Sequence, residues 1–222
     1  MNQNIVTYYR DRAEEYEKIY NKPERQHDLL LAEKILQDTF LGKDVFEAAC
    51  GTGYWTQKIA ATAKSIRAID INDTVLEIAK SKSYSPGTVY FQTADLFEQG
   101  SAEVYESLFG GFIWSHIKLQ DLPVFLNIVA GLVVNFGTIV FMDNCYVEAS
   151  NLPIVDQDDC GNTYQIRTLE NGTRHKVLKN FPTEIFIRQQ LEDSAVEVEF
   201  THLKYYWIVK YKRKASTQKI IL

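Results

Sequence analysis

The chain predicts an α/β three-layer sandwich on a mostly parallel seven-stranded sheet, ending in an antiparallel C-terminal strand pair, with N-terminal helices and an inserted β-hairpin. Three observations carry this. Short apolar runs alternate with amphipathic segments from residue 45 to residue 142, a rhythm that implies right-handed crossovers and helices on both faces of one sheet. Two helix-period segments precede the alternation, and a hairpin, a helix and two adjacent strands follow it. Finally, 222 residues with 45% hydrophobic and 24% charged side chains fill one core and are short for two. A single domain over 1–222 is expected: a helical cap (1–42), a ligand-binding core (43–145), a loop and β-hairpin insertion (146–181), and a C-terminal helix with strand pair (182–222).

Each element has its own signal. Residues 11–20 are charged, tyrosine-rich and helically spaced. Pro23 opens a second helical segment in which Leu29, Leu30, Ala32, Ile35, Leu36 and Phe40 recur at helical intervals, with Gly42 just past its end. The series then reads strand 45–49, helix 55–63, strand 66–69, helix 73–82, strand 88–92, strand 106–110, helix 122–134 and strand 138–142. Strands 163–169 and 174–178 flank Asn171-Gly172, a type I′ hairpin signal because both turn residues must accept positive φ. Thr183 is placed to cap a helix reaching residue 192, with Glu184 in its first turn. Strands 196–201 and 205–211 close the fold, and the basic run Lys210, Lys212, Arg213 and Lys214 reads as solvated charge.

Composition excludes several classes of partner. A formal charge of −5, without long like-sign blocks, gives no electrostatic footprint for nucleic acid or an anionic membrane. Residues 1–4 are polar rather than basic, and no apolar run reaches the ~18 residues of a membrane span, so a cytoplasmic protein is expected. Cys50, Cys145 and Cys160 form neither a CxxC pair nor an even framework and read as free thiols in a reducing compartment. His27, His116, His175 and His202 are scattered, and no metal site is expected.

The strongest local motif is Glu47-Ala48-Ala49-Cys50-Gly51-Thr52-Gly53, where a buried strand must turn into a helix. Gly51 and Gly53 remove Cβ atoms where backbone must approach a ligand and where positive φ is needed. In an open α/β sheet this turn lies at the carboxyl edge, where ligands bind. Asp70 ends the next strand at the spacing of a ribose-binding carboxylate, and Asp95 follows the third strand on the same edge. A dinucleotide loop wants a third small residue, but Thr56 occupies that position behind Tyr54 and Trp55. Glu47 in the turn motif suits a cationic ligand better than a pyrophosphate.

The motif resembles motif I of the class I S-adenosylmethionine-dependent methyltransferases, a Rossmann-like family, and the resemblance extends over residues 5–145. It implies a donor site formed by Glu47, Ala48, Gly51 and Gly53, with Asp70 on the ribose and Ile71 against the adenine. Asp95 would bond the adenine amino group, Leu96 would touch the ring, and the Gly110-Gly111 backbone would run beside the methionine moiety. The opening segment resembles the helix that closes over the donor, with Tyr8, Tyr9 and Arg12 as contacts. S-adenosylmethionine is the implied cofactor and S-adenosylhomocysteine its product. The implied reaction is O- or N-methylation of a small-molecule acceptor by in-line displacement, in which alignment supplies much of the rate.

His116, just past the fourth strand, is the candidate base for a protonated acceptor, with packing or hydrogen bonding as its plainer role. Asn144, Arg167, His175 and Lys179 are the candidate acceptor contacts, and the basic hairpin suits an anionic one. The same hairpin also reads as a subunit contact in a homodimer. A nucleic-acid amino-methylating enzyme would carry Asn/Asp-Pro-Pro-aromatic where Trp114-Ser115-His116-Ile117 stands. A non-enzymatic S-adenosylmethionine-binding or protein-interaction member of the same fold would share the donor motifs, and that alternative stays open.

Overall fold

The structure, a computed structural model, describes residues 3–84, 88–99 and 104–215. Met1 and Asn2, part of the polar lead-in noted above, lie outside the described residues. The chain opens with α1 (Gln3–Asp11), a 3-10 run (Ala13–Asn21), a 3-10 turn (Pro23–Arg25) and α2 (Gln26–Phe40). The segment expected as a helix over 11–20 is therefore split, and its second part takes the tighter winding. Its packing offsets the poorer hydrogen-bond geometry of a 3-10 helix, because Tyr16 reaches Tyr9 at 5.7 Å between ring centroids while Tyr20 stacks on Tyr54 at 3.8 Å.

The alternating core follows as β1 (Asp44–Ala48), α3 (Tyr54–Ile59), β2 (Ser65–Asp70), α4 (Asp73–Lys80), β3 (Thr88–Thr93), β4 (Tyr105–Gly111), α5 (Leu122–Gly131) and β5 (Val133–Asn144). After it come β6 (Asp156–Gln157), β7 (Thr163–Thr168), β8 (Arg174–Leu178), α6 (Glu184–Leu191), β9 (Ala195–His202) and β10 (Tyr206–Arg213). The main sheet has the order β3-β2-β1-β4-β5-β10-β9, with β10 antiparallel to both neighbours, as expected. From β1 the chain winds outward through β2 and β3, then returns to β4 and β5 on the other side. Strand order thus reverses between β1 and β4, and a crevice opens there at the carboxyl ends.

Period-two alternation divides the core between the two faces. Phe46, Leu108, Ile139 and Phe141 pack with Leu122, Phe125 and Val129 of α5 and Ile187 of α6. Val45, Phe109, Val140 and Ile208 pack on the other face with Leu36 and Phe40 of α2 and Ile59 of α3. A third cluster joins α1 to the hairpin through Ile5, Tyr8, Leu169, Val177 and Leu178, so cap and hairpin cover the carboxyl edge together. Among the described residues no helix is long and apolar enough to cross a membrane.

Three local expectations change. The helix expected over 122–134 ends at Gly131, because Val133 pairs with Tyr105 and begins β5, where its β-branched side chain is fully buried. Asn171-Gly172 does form the hairpin, but only Gly172 has positive φ (+84°). The Gly172 N–H donates to Leu169 O at 2.8 Å, giving a three-residue loop in place of a type I′ turn. Strand β6 was unanticipated because two residues show no period.

Candidate active site

Beyond β1 the backbone alternates in and out of the left-handed region, at Ala49 (φ +55°), Gly51 (+56°) and Gly53 (+77°). At Ala49 that conformation costs about 1–2 kcal/mol for a residue with a Cβ. Gly53 could not carry one freely: a Cβ there would lie 2.6 Å from Tyr84 Oη and 3.0 Å from Ala79 Cβ. The loop is fastened to β2 by Cys50 N–H donating to Ile69 O (2.9 Å) and by Asp70. The Asp70 carboxylate accepts from Gly51 N–H and Asn72 N–H, each at 2.9 Å, one on each oxygen. Its burial raises the carboxyl pKa, and these two amides oppose the rise.

Above this loop and beneath α1 lies a cavity of about 90 Å³. Tyr9, Gly51, Asp70, Ile71, Leu96, Gly111 and His116 from the expected set line it, with Ile69, Val75 and Ile113 as apolar wall. Other expected donor contacts lie elsewhere. Ala48 is fully buried in β1, and Gly53 is the N-cap of α3. Gly110 packs so closely under Phe141 that a Cβ would meet the ring at 2.5 Å. The Asp95 carboxylate caps the 3-10 turn Leu96–Glu98 by accepting from Phe97 N–H.

Glu47 sits in a smaller adjoining recess with Cys50, Tyr54 and Trp55. It is 2% exposed, and its Oε2 has no hydrogen-bond partner. Burial, aided by the nearby Asp70 charge, pushes its carboxyl up to about 8, against the pull of the neighbouring Thr56 hydroxyl. Because the folded value exceeds the ordinary 4.5, the fold favours the protonated form, and that contribution to stability is lost as pH rises from 4.5 through 8. Glu47→Gln is accordingly expected to raise the melting temperature of the ligand-free protein at pH 8.5 and to leave it nearly unchanged at pH 5. Equal shifts at both values would show that Glu47 titrates as an ordinary carboxylate.

A second cleft, of about 270 Å³, lies between the cap and the hairpin and shares Tyr9, Tyr16 and Phe112 with the first. Arg12, Lys22, Arg25, Arg167 and Lys179 line it, against one acidic lining residue, Glu15. Tyr8 and Arg12, expected at the donor, line this second cleft and not the first. The Arg12 and Arg167 guanidinium carbons lie 5.6 and 5.5 Å from the centre of the Tyr8 ring. Asn144 also lines the cleft, whereas His175 packs behind it against Tyr8, ring centroids 5.4 Å apart. Lys179 is held by Asp143 Oδ1 (2.7 Å) and Ser115 Oγ (2.6 Å).

His116 stands where the clefts meet. Its Nδ1 lies 2.6 Å from Leu178 O and its Nε2 2.7 Å from the Tyr9 hydroxyl. Burial and the Lys179 and Arg167 charges hold its pKa well below the usual imidazole value. The sequence reading did not include Thr52, Asn72, Tyr16 or Phe112 in the first cleft, nor Arg25, Ser150 and Gln165 in the second. Only Tyr16 had a usable signal, since it follows Tyr9 by two helical turns; Thr52, Asn72, Phe112 and Ser150 are brought in by loops, Arg25 by the 3-10 turn and Gln165 by β7, where no local motif marks them.

Residues 45–133 match the family model described as a methyltransferase domain. Among solved structures, the DhpI–SAH complex superposes with a TM-score of 0.80 at 21% identity, covering 96% of this chain and 97% of that one. The DhpI–SAM–HEP complex gives 0.75 at 22% identity over 94% and 96%. Magnesium protoporphyrin IX methyltransferase (ChlM) from Synechocystis PCC 6803 with bound SAM gives 0.62 at 16% identity over 96% and 99%. No curated protein matches the chain. The fold is that of the class I S-adenosylmethionine-dependent methyltransferases. The matched methyltransferase domain lies at the centre of that fold, from β1 to the start of β5.

Proposed function

We propose that the chain binds S-adenosylmethionine in the first cavity and transfers its methyl group to a small anionic acceptor held in the second cleft. The observation that carries this reading is the meeting of an apolar cavity at the glycine loop with a cation-rich cleft at Tyr9, Tyr16 and Phe112. Solved neighbours that hold SAM or SAH support the choice of donor. The residues present suit that ligand. Ile71, Val75 and Leu96 offer an apolar slot for a purine, Asp70 retains a free lone pair on each oxygen for ribose hydroxyls, and the partnerless Oε2 of Glu47 suits an ammonium. In the reaction a lone pair on the acceptor oxygen or nitrogen attacks the methyl carbon in line as the carbon–sulfur bond breaks, leaving S-adenosylhomocysteine.

Of the two uses of the hairpin, we propose the rim of the acceptor pocket, because Arg167 and Lys179 line the cleft. A cytoplasmic site of action belongs to the same proposal and is supported by the three free thiols. The test is S-adenosylhomocysteine formation with a panel of small carboxylates and phosphomonoesters beside their amides and free alcohols. Anionic members are expected to turn over. Arg12→Ala and Arg167→Ala should each raise their KM by roughly 10–100-fold, the loss of a charge-assisted hydrogen bond, with S-adenosylhomocysteine affinity unchanged. Preference for the neutral analogues would overturn the anionic reading. Binding of the donor without turnover of any compound in a metabolite extract would leave a non-enzymatic binder.

A further inference from the structure

The junction of the two clefts holds a hydrogen-bonded chain whose direction can be assigned. A carbonyl oxygen only accepts, so the 2.6 Å contact with Leu178 O requires the proton on His116 Nδ1. In the neutral ring Nε2 is then an acceptor, and the Tyr9 hydroxyl at 2.7 Å must donate to it. His116 is 8% exposed, and Arg12, Arg167 and Lys179 are the charged groups that face it, from the cap, β7 and the end of β8. None of the three is an anion that would stabilise an imidazolium. Lys179 itself is tied to Asp143 and Ser115. The only nitrogen with which His116 could take a proton is thus already occupied, by the Tyr9 hydroxyl of α1.

Tyr9 differs in its placement. It is half-buried, it lines both clefts, and the Arg167 guanidinium lies beside its ring and that of Tyr8. With its proton committed to His116, the phenol oxygen can only accept, and it faces the Arg167 guanidinium and the acceptor cleft with its lone pairs. We infer that Tyr9 is the residue that positions the acceptor against the methyl group, and that His116 is a positioning residue that acts through Tyr9 instead of serving as the base. This rests on the two-cleft reading of the preceding subsection. An acceptor that arrives ionised needs no proton removed, which agrees with a junction whose one histidine is locked.

Two measurements on the full chain test the inference. In ¹⁵N-histidine NMR, which needs no acceptor, His116 should show a protonated Nδ1 and a bare Nε2 unchanged between pH 5.5 and 8.5. Titration near pH 6.5, or the opposite tautomer, overturns the assignment. The second measurement is turnover of the best anionic compound from the panel above. Tyr9→Phe and His116→Leu should each lower kcat by about 10²-fold, the scale of a misaligned reactant, and the double variant should lose no more than either alone. His116→Gln, whose Oε1 can take the place of Nε2 in accepting from Tyr9, should keep kcat within about threefold and leave its pH profile unaltered. A 10²-fold loss in His116→Gln with Tyr9→Phe nearly normal would make the histidine the base and end this inference alone. A wild-type protein that binds S-adenosylhomocysteine but turns over no panel member ends the anionic-acceptor reading and the role of Tyr9 with it.

Discussion

Asp143→Ala is expected to destabilise the protein by about 3–5 kcal/mol, the cost of stranding one member of a buried ion pair. The side chains of Asp143 and Lys179 are 0% and 4% exposed. Asp143 accepts from Lys179 Nζ through Oδ1 and from Ser115 N–H (3.0 Å) through Oδ2, so it ties the ends of β5 and β8 to the turn after β4. Without it the ammonium retains only the Ser115 hydroxyl. Burial already pushes the Lys179 pKa down to about 8 from 10.5, in spite of the opposite charge. A lowered lysine pKa means that the full penalty applies below pH 8 and is relieved as pH rises toward 10.5, where the unfolded chain also loses its proton. Losing Asp143 lowers that pKa further, so relief begins at lower pH. Urea denaturation should therefore show a greater deficit at pH 6.5 than at pH 9.5, and Lys179→Met in the same background should recover part of it. A loss under 1 kcal/mol that does not vary with pH would mean that the pair is hydrated.

The second large effect is expected at Asp70. Removing its carboxylate leaves the Gly51 and Asn72 amides without acceptors, at about 1–3 kcal/mol for each that stays buried. The proposed ribose contacts would be lost as well, worth a further ~1.5–3 kcal/mol. Isothermal titration with S-adenosylhomocysteine should show at least a tenfold weaker Kd for Asp70→Ala, and amide exchange at Gly51 and Asn72 should accelerate. Asp70→Asn should behave almost as badly, because its amide nitrogen turns a donor toward one of two donors. Accelerated exchange with unchanged affinity would confine Asp70 to fastening the loop, and the ribose assignment would fall.

The parts of this protein that were legible in the sequence are those set by local chemistry. Strand–helix alternation, Gly51 and Gly53 at a sharp turn, Asp70 at a strand end and the Thr183 cap each follow from periodicity or backbone sterics within a few residues, and the structure has all of them. The last residues of α5 were lost to β5 because Val133 gains more from pairing with Tyr105 and full burial than from another helical turn, a balance that no local window contains. Turn chemistry similarly misled at Asn171, where the loop closes through Gly172 alone.

The site divides along the same line. Sequence alone supplied Gly51, Asp70, Leu96, Gly111 and His116 as site candidates, and the structure brings them around one cavity because sheet topology gathers the strand ends at one edge. Which partners meet at that edge was decided by tertiary structure. Arg12 lines the second cleft and not the first, Lys179 is half of a buried pair, and Tyr9 lies within 2.7 Å of a histidine 107 residues away. Motifs are short and report backbone geometry, whereas proton direction, burial and charge pairing are sums over side chains that only packing brings together.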